Sequence, residues 1–180
     1  MPTENELKYL LTLEAEHEAK LLAHGTRHIR QGYLAFTKGM SLRIRETNNT
    51  RFEMTFKQKA KNRVIEVEKK LDERDFEDLW SIACNRLEKI RYDVVVKDAE
   101  GNKYGWEVDA FKDHNHETYI VIAEHEMPEG MTQPNFIPHM ISDHLIYAVP
   151  STDDKFASKK IADVKYAQSL LAEYVNKSYR

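Results

Sequence analysis

Polar and apolar residues alternate with a period of two along most of this chain. Arg51, Glu53, Thr55, Lys57 and Lys59 interleave with Phe52, Met54 and Phe56. That is the pattern of a strand with one polar and one apolar face. The same period predicts strands over Glu4 to Leu11, Arg27 to Thr37, Ser41 to Thr47 and Arg63 to Leu71. It returns over Arg86 to Lys97, Tyr104 to Phe111 and Thr118 to Met127, with a short strand over His144 to Val149. Helical spacing interrupts it at Glu14 to Ala23. A second helix runs from an N-cap at Asp72 to about Cys84, with Phe76, Leu79, Trp80 and Ala83 as its apolar stripe. A helical C-terminal segment covers about 153–176. Pro128 to Pro138, with three prolines and a glycine, reads as irregular.

The polar faces segregate by sign. Glu4/Glu6, Glu66/Glu68, Glu107/Asp109 and Glu124/Glu126 are acidic pairs at i and i+2. Arg43/Arg45, Lys57/Lys59 and Lys89/Arg91 are basic pairs, and Lys8 follows the first acidic one. Like charges along and across strands repel, so a solvated face usually mixes them. Two arrangements accommodate the pattern. One is an ordinary sheet with a wet charged face. The other closes about eight strands into a barrel with a charged, wet lumen and helices over its apolar exterior. In the second, carboxylates would hold hard divalent cations and the basic residues polyanionic oxygens. A linear triphosphate with metal ions matches both.

Composition narrows the classes. At 180 residues, with 41% hydrophobic and 32% charged residues, the chain fits a single domain, 1–180. A net charge of −3 gives no global footprint for nucleic acid. The lone Cys84 excludes a disulfide framework, and its apolar neighbours predict a buried thiol. No stretch reaches the ~18 apolar residues of a membrane span, and no leader pattern is visible, so the cytoplasm is the expected compartment. His114 and His116 lie in a polar loop, His125 alternates away from Glu124 and Glu126, and Trp106 and Tyr92 read as outer-face core.

The same residues resemble the signature of the CYTH family, the triphosphate tunnel metalloenzymes. Glu4-Asn5-Glu6-Leu7-Lys8 resembles its opening E-x-E-x-K, and Gln31-Gly32-Tyr33-Leu34 the QGYL strand of small bacterial members. Arg43-Ile44-Arg45, Thr55-Phe56-Lys57, Glu66-Val67-Glu68 and Lys89-Ile90-Arg91-Tyr92 are similar to the next four motifs. Trp106-Glu107-Val108-Asp109 and Ala123-Glu124-His125-Glu126 complete the order. Each motif is weak alone; their order from Glu4 to Glu126 makes the resemblance specific. Two departures stand out: Val64 occupies a position usually held by arginine, and Phe156 to Lys160 replaces a usual Tyr-x-Asn segment.

The resemblance implies an α+β fold, an eight-stranded antiparallel tunnel with a charged interior and helices packed outside. It implies a metal-dependent hydrolase of tripolyphosphate or ATP, using Mg²⁺ or Mn²⁺. Glu4, Glu6, Glu124 and Glu126 would lead the metal carboxylates, with Glu66, Glu68, Glu107 and Asp109 completing the acidic wall. Lys8, Arg43, Arg45, Lys57 and Arg91 would grip phosphates; Lys89, Tyr33 and Glu6 would be catalytic. The implied partner is a small-molecule triphosphate rather than nucleic acid or membrane, with the chain a monomer or homodimer. A class IV type of adenylyl cyclase and a non-catalytic polyphosphate- or nucleotide-binding module are the alternatives. The cyclising members carry a His-Phe pair where His28-Ile29 stands here, which favours hydrolysis.

Overall fold

The computed structural model describes residues 5–61 and 63–178. The chain opens with β1 (Glu6–Leu11), α1 (Ala15–Leu22) and a run of four strands, β2 (Gly25–Thr37), β3 (Met40–Thr47), β4 (Arg51–Ala60) and β5 (Arg63–Leu71). Then come α2 (Glu73–Ile82), β6 (Cys84–Lys97), β7 (Lys103–Lys112) and β8 (Thr118–Glu126). The last part holds α3 (His139–Ser142), β9 (Leu145–Val149), a 3₁₀ turn at Asp154–Phe156, α4 (Ser158–Ile161) and α5 (Val164–Ser178).

All nine strands form one antiparallel sheet in the order β5-β4-β3-β2-β6-β7-β8-β1-β9. The expected tunnel had eight strands closing on themselves. Here β9 joins as a ninth strand, pairing along Lys8 to Leu11 with the edge of β1 that β8 leaves open. Among the described residues no ladder joins the two ends of the sheet.

The sheet is nevertheless curled. Four strand spacings separate β1 from β2, about 19 Å if the sheet were flat. The same number separates β6 from β9. Leu87 of β6 and Val149 of β9 share one apolar cluster, closed by α4 and α5.

Each face has its own packing. On the outer face, Tyr9, Leu11, Tyr92, Trp106 and Val121 bury against Ala15 and Ala19 of α1 and Met140 and Ile141 of α3. Helix α2 covers β2 to β4 on the same side. Its N-cap Asp72 accepts from the Asp75 backbone at 2.7 Å. Its Phe76 is fully buried against Ile44, contributing about 2 kcal/mol of transfer free energy. Gly32 is required by this packing, since a Cβ there would lie 2.9 Å from the Cβ of Ala83. Cys84, expected to be buried, stands exposed where α2 turns into β6, its thiol pointing to the Tyr33 carbonyl at 3.1 Å.

The expectation of helices outside the sheet holds for α1, α2 and α3. The inner face adds a second arrangement. Ile120 and Ile122 alternate into it with Glu124, Leu10 with Lys8, Phe111 with Asp109, and Leu87 with Lys89. These apolar residues bury against α4 and α5. The charged residues thus occupy one end of the concave face, and the C-terminal helices stop the other.

Candidate active site

Period-two alternation and register together place the candidate residues on one face. Glu6 lies opposite Glu126 and Lys8 opposite Glu124. Glu107 lies opposite Glu124, and Arg91 opposite Asp109. Arg45 lies opposite Gln31 and Tyr33 opposite Arg43. Thr55 pairs with Glu68 and Lys57 with Glu66. Glu4 lies outside the described residues.

Strands β1, β6, β7 and β8 carry a continuous polar network. Lys8 Nζ is 3.1 Å from Glu6 and 2.6 Å from Glu124. Arg91 donates to the other Glu124 oxygen at 2.7 Å, to both Asp109 oxygens at 2.6 and 2.7 Å, and to Glu107. Lys89 donates to Asp109 at 2.5 Å. Arg27 extends the network to Glu107 at 2.8 Å and to Asp93. A cavity of about 660 Å³ opens at this end, with Glu6, Arg27, Glu107, Glu124 and Glu126 in its lining.

The electrostatics follow from burial and pairing. Burial disfavours a charged Asp109, but Lys89 and Arg91 outweigh it and hold the carboxyl below its usual range. Glu124 is likewise held low: Lys8, Lys89 and Arg91 together outweigh burial and the nearby Asp109. Burial pushes Lys89 down to about 8, because Asp109 only partly offsets burial and Arg91 adds repulsion. Lys8 goes the other way: burial opposes its charge, but Glu124 and Glu6 raise it above the usual lysine range.

The basic half lies on β2 and β3. Arg45 Nε donates to Gln31 at 2.9 Å, and Gln31 donates to the Tyr33 hydroxyl at 3.0 Å. Burial, then Arg43 and Arg91, push Arg45 down to about 10. The Nε of Arg43 is buried without a hydrogen-bond partner among the described residues. Crowded guanidinium groups and an orphaned buried donor together favour an anionic acceptor at this point.

The remaining candidates stand apart. Glu66 and Glu68 are exposed on β5 at the end of the sheet, Glu66 3.8 Å from Lys57 and Glu68 3.6 Å from Arg51. Tyr33 and Lys89 are not joined directly; the first bonds Gln31 and the second Asp109. Sequence reasoning missed three functional-face residues. Gln31, buried to 1% exposure, carries the link from Tyr33 to Arg45. Arg27 and Asp93 widen the network at the cavity mouth. The signal was present for Gln31 and Asp93, which lie two residues from Tyr33 and Arg91.

The carboxylate set suits a hard divalent cation, which takes oxygen ligands. Glu6 and Glu124 flank one ammonium, and Glu126 lies beside them in register. Among the described residues no three such groups converge at ligand spacing. Asp109 has both oxygens engaged by Lys89 and Arg91. A cation would therefore have Glu6, Glu124 and Glu126 as its carboxylates.

Three comparisons bear on this arrangement. The CYTH domain family model matches residues 2–143. Among curated proteins none matches significantly. Among solved structures, the hypothetical protein NE1496 is 26% identical with a TM-score of 0.56, over 89% of this chain and 97% of that one. A conserved hypothetical protein from Pyrococcus furiosus is 20% identical with a TM-score of 0.48, over 71% of this chain and 81% of that one.

Proposed function

Because the chain belongs to the CYTH domain family, we propose that it is a triphosphatase cleaving a phosphoanhydride bond of inorganic tripolyphosphate or ATP. The family includes triphosphatases and adenylyl cyclases, and its members are generally dependent on divalent metals. The observation that carries the reading is the polar face on which Arg45 neighbours Arg43, Arg91 and Asp109, while Arg91 binds the Glu124 that Lys8 shares with Glu6. Cations suited to a polyphosphate face carboxylates suited to the cation that accompanies it.

Phosphoryl transfer needs positioning and charge neutralisation more than covalent chemistry. Arg43, Arg45 and Arg91 have the fork geometry for bidentate phosphate contacts, and Lys8 and Lys57 act as point charges. Mg²⁺ or Mn²⁺ on Glu6, Glu124 and Glu126, with Glu4, would neutralise phosphate charge. Lys89, with its pKa near 8, stands ready to take a proton from the attacking water through its neutral form. Asp109 fixes the position of both Lys89 and Arg91. Burial keeps the Tyr33 hydroxyl protonated, so it can donate to a phosphate oxygen. Glu107, Glu66 and Glu68 line the face as further carboxylates, with Glu66 and Glu68 at its β5 end.

The cyclase reading has less support, because His28 sits opposite Ile90 on the outer face and is exposed. Work on a small-molecule triphosphate in the cytoplasm is part of the same proposal. Orthophosphate release from tripolyphosphate with Mg²⁺ or Mn²⁺ is the test. No release with either metal, from tripolyphosphate or ATP, would remove the proposal.

A further inference from the structure

Gln31 is an uncharged side chain buried among charged ones. Its strand β2 is paired along both edges, and register holds Gln31 between Arg45 on β3 and Leu87 on β6. The amide has two unlike ends, and its neighbours decide which way round it sits. Arg45 reaches it with Nε at 2.9 Å. A guanidinium donates and has no acceptor, so Oε1 must face Arg45. Nε2 then faces the Tyr33 hydroxyl at 3.0 Å and donates to it. That bond occupies a lone pair of the hydroxyl and leaves its proton free. Among the described residues no acceptor takes this proton. Arg43 lies opposite Tyr33 in register, and its Nε is buried without a partner. Two unused donors are therefore cross-strand neighbours on one face.

We infer that Gln31 is a positioning residue: locked by Arg45, it turns the Tyr33 hydroxyl so that the phenolic proton is presented to a phosphate oxygen of the bound triphosphate. The role presupposes that the chain is a triphosphatase and adds to it the direction of one hydrogen bond. The relay from Arg45 through Gln31 to Tyr33 runs one way, because its first member can only donate. Each donor in such a chain polarises the next, so the hydroxyl at its end is the stronger donor. Burial acts in the same sense by keeping the phenol protonated. With Arg43 beside it, the hydroxyl meets the anion as one of a pair of donors, and neither has to give up a bond inside the protein first.

Gln31→Glu tests the direction while keeping the shape. A carboxylate only accepts, so it takes the Arg45 N–H and the Tyr33 proton alike. Arg45 is buried and crowded by Arg43 and Arg91, so the added negative charge should leave the melting temperature no lower than that of the wild-type chain. The readout is the cost of Tyr33→Phe in kcat/KM for tripolyphosphate with Mg²⁺, measured in both backgrounds so that the effect of the added charge itself cancels. In the wild-type chain, losing the hydroxyl should cost about 10–100-fold, the worth of a hydrogen bond to a charged group. In the Gln31→Glu chain it should cost less than about twofold, because the proton is already turned away. Equal costs in the two backgrounds would overturn the inference and leave the triphosphatase standing. A Gln31→Glu chain that melts well below the wild type would also overturn it, since the Arg45 contact that orients the amide would then be wrong. A wild-type chain that hydrolyses neither tripolyphosphate nor ATP would remove the proposed function instead. The same two costs, read as tripolyphosphate affinity by calorimetry, then decide the role of Gln31, and a chain that does not bind tripolyphosphate overturns that too.

Discussion

Lys89 donates to Asp109 at 2.5 Å across the β6–β7 ladder, with 2% and 0% of the two side chains exposed. Arg91 completes the cluster from the same strand as Lys89. Removing one member of such a cluster leaves uncompensated buried charge. Asp109→Ala should therefore destabilise the fold by about 3–5 kcal/mol, read from urea unfolding. A loss below about 1 kcal/mol would mean that water already reaches the site.

Stability should depend on pH at both ends. Asp109 and Glu124 are held below their ordinary values, so their contribution is complete above about pH 4.5 and is lost as pH falls further. Lys89 is also depressed, from 10.5 to about 8. Over that window the unfolded chain keeps a proton that the folded chain has lost, so stability rises with pH. Denaturation midpoints of the wild-type chain and Lys89→Met, compared between pH 7 and 10, isolate this term. Parallel curves would show that the Lys89 ammonium is not depressed.

Arg43 offers a way to separate binding from folding. Its Nε makes no hydrogen bond that substitution would break. Arg43→Ala should leave the unfolding midpoint nearly unchanged, while affinity for tripolyphosphate falls about 10–100-fold, the worth of a hydrogen bond to a charged group. Calorimetric titration measures the second and thermal melting the first. Unaltered affinity would place the phosphates elsewhere.

The strands and the shared face of the charged residues were legible because side chains alternate with a fixed period. The pairing on that face was not. Asp109 and Glu124 look alike in sequence, each two residues from another acid. Only the β6–β7 register reveals that Asp109 is consumed by Lys89 and Arg91, while Glu124 sits between Lys8 and Arg91. Glu66 and Glu68 repeat the acidic pattern but fall on the last strand of the sheet. The place of β9 was hidden for a similar reason, since nothing local to Leu145–Val149 announces that it takes the second edge of β1. Ile120, Ile122 and Phe111 were readable as apolar, but not as the seat of α5.

Glu6 is half-exposed beside Lys8 and contributes little buried surface. Glu6→Ala should keep the fold and its melting temperature. It should lower the rate of triphosphate hydrolysis, at the metal concentration that saturates the wild-type chain, by at least about 100-fold, the scale of several kcal/mol of charge stabilisation. Raising Mn²⁺ should recover part of the loss. Full activity with an unchanged metal requirement would remove Glu6 from the site.

The most direct measurement is phosphorus NMR of the purified chain with Mg²⁺, once with tripolyphosphate and once with ATP. Triphosphate hydrolysis predicts orthophosphate appearing together with pyrophosphate or with ADP, and no change in either sample when the metal is chelated. Pyrophosphate appearing together with cyclic AMP, or spectra that stay unchanged with both Mg²⁺ and Mn²⁺, would contradict it.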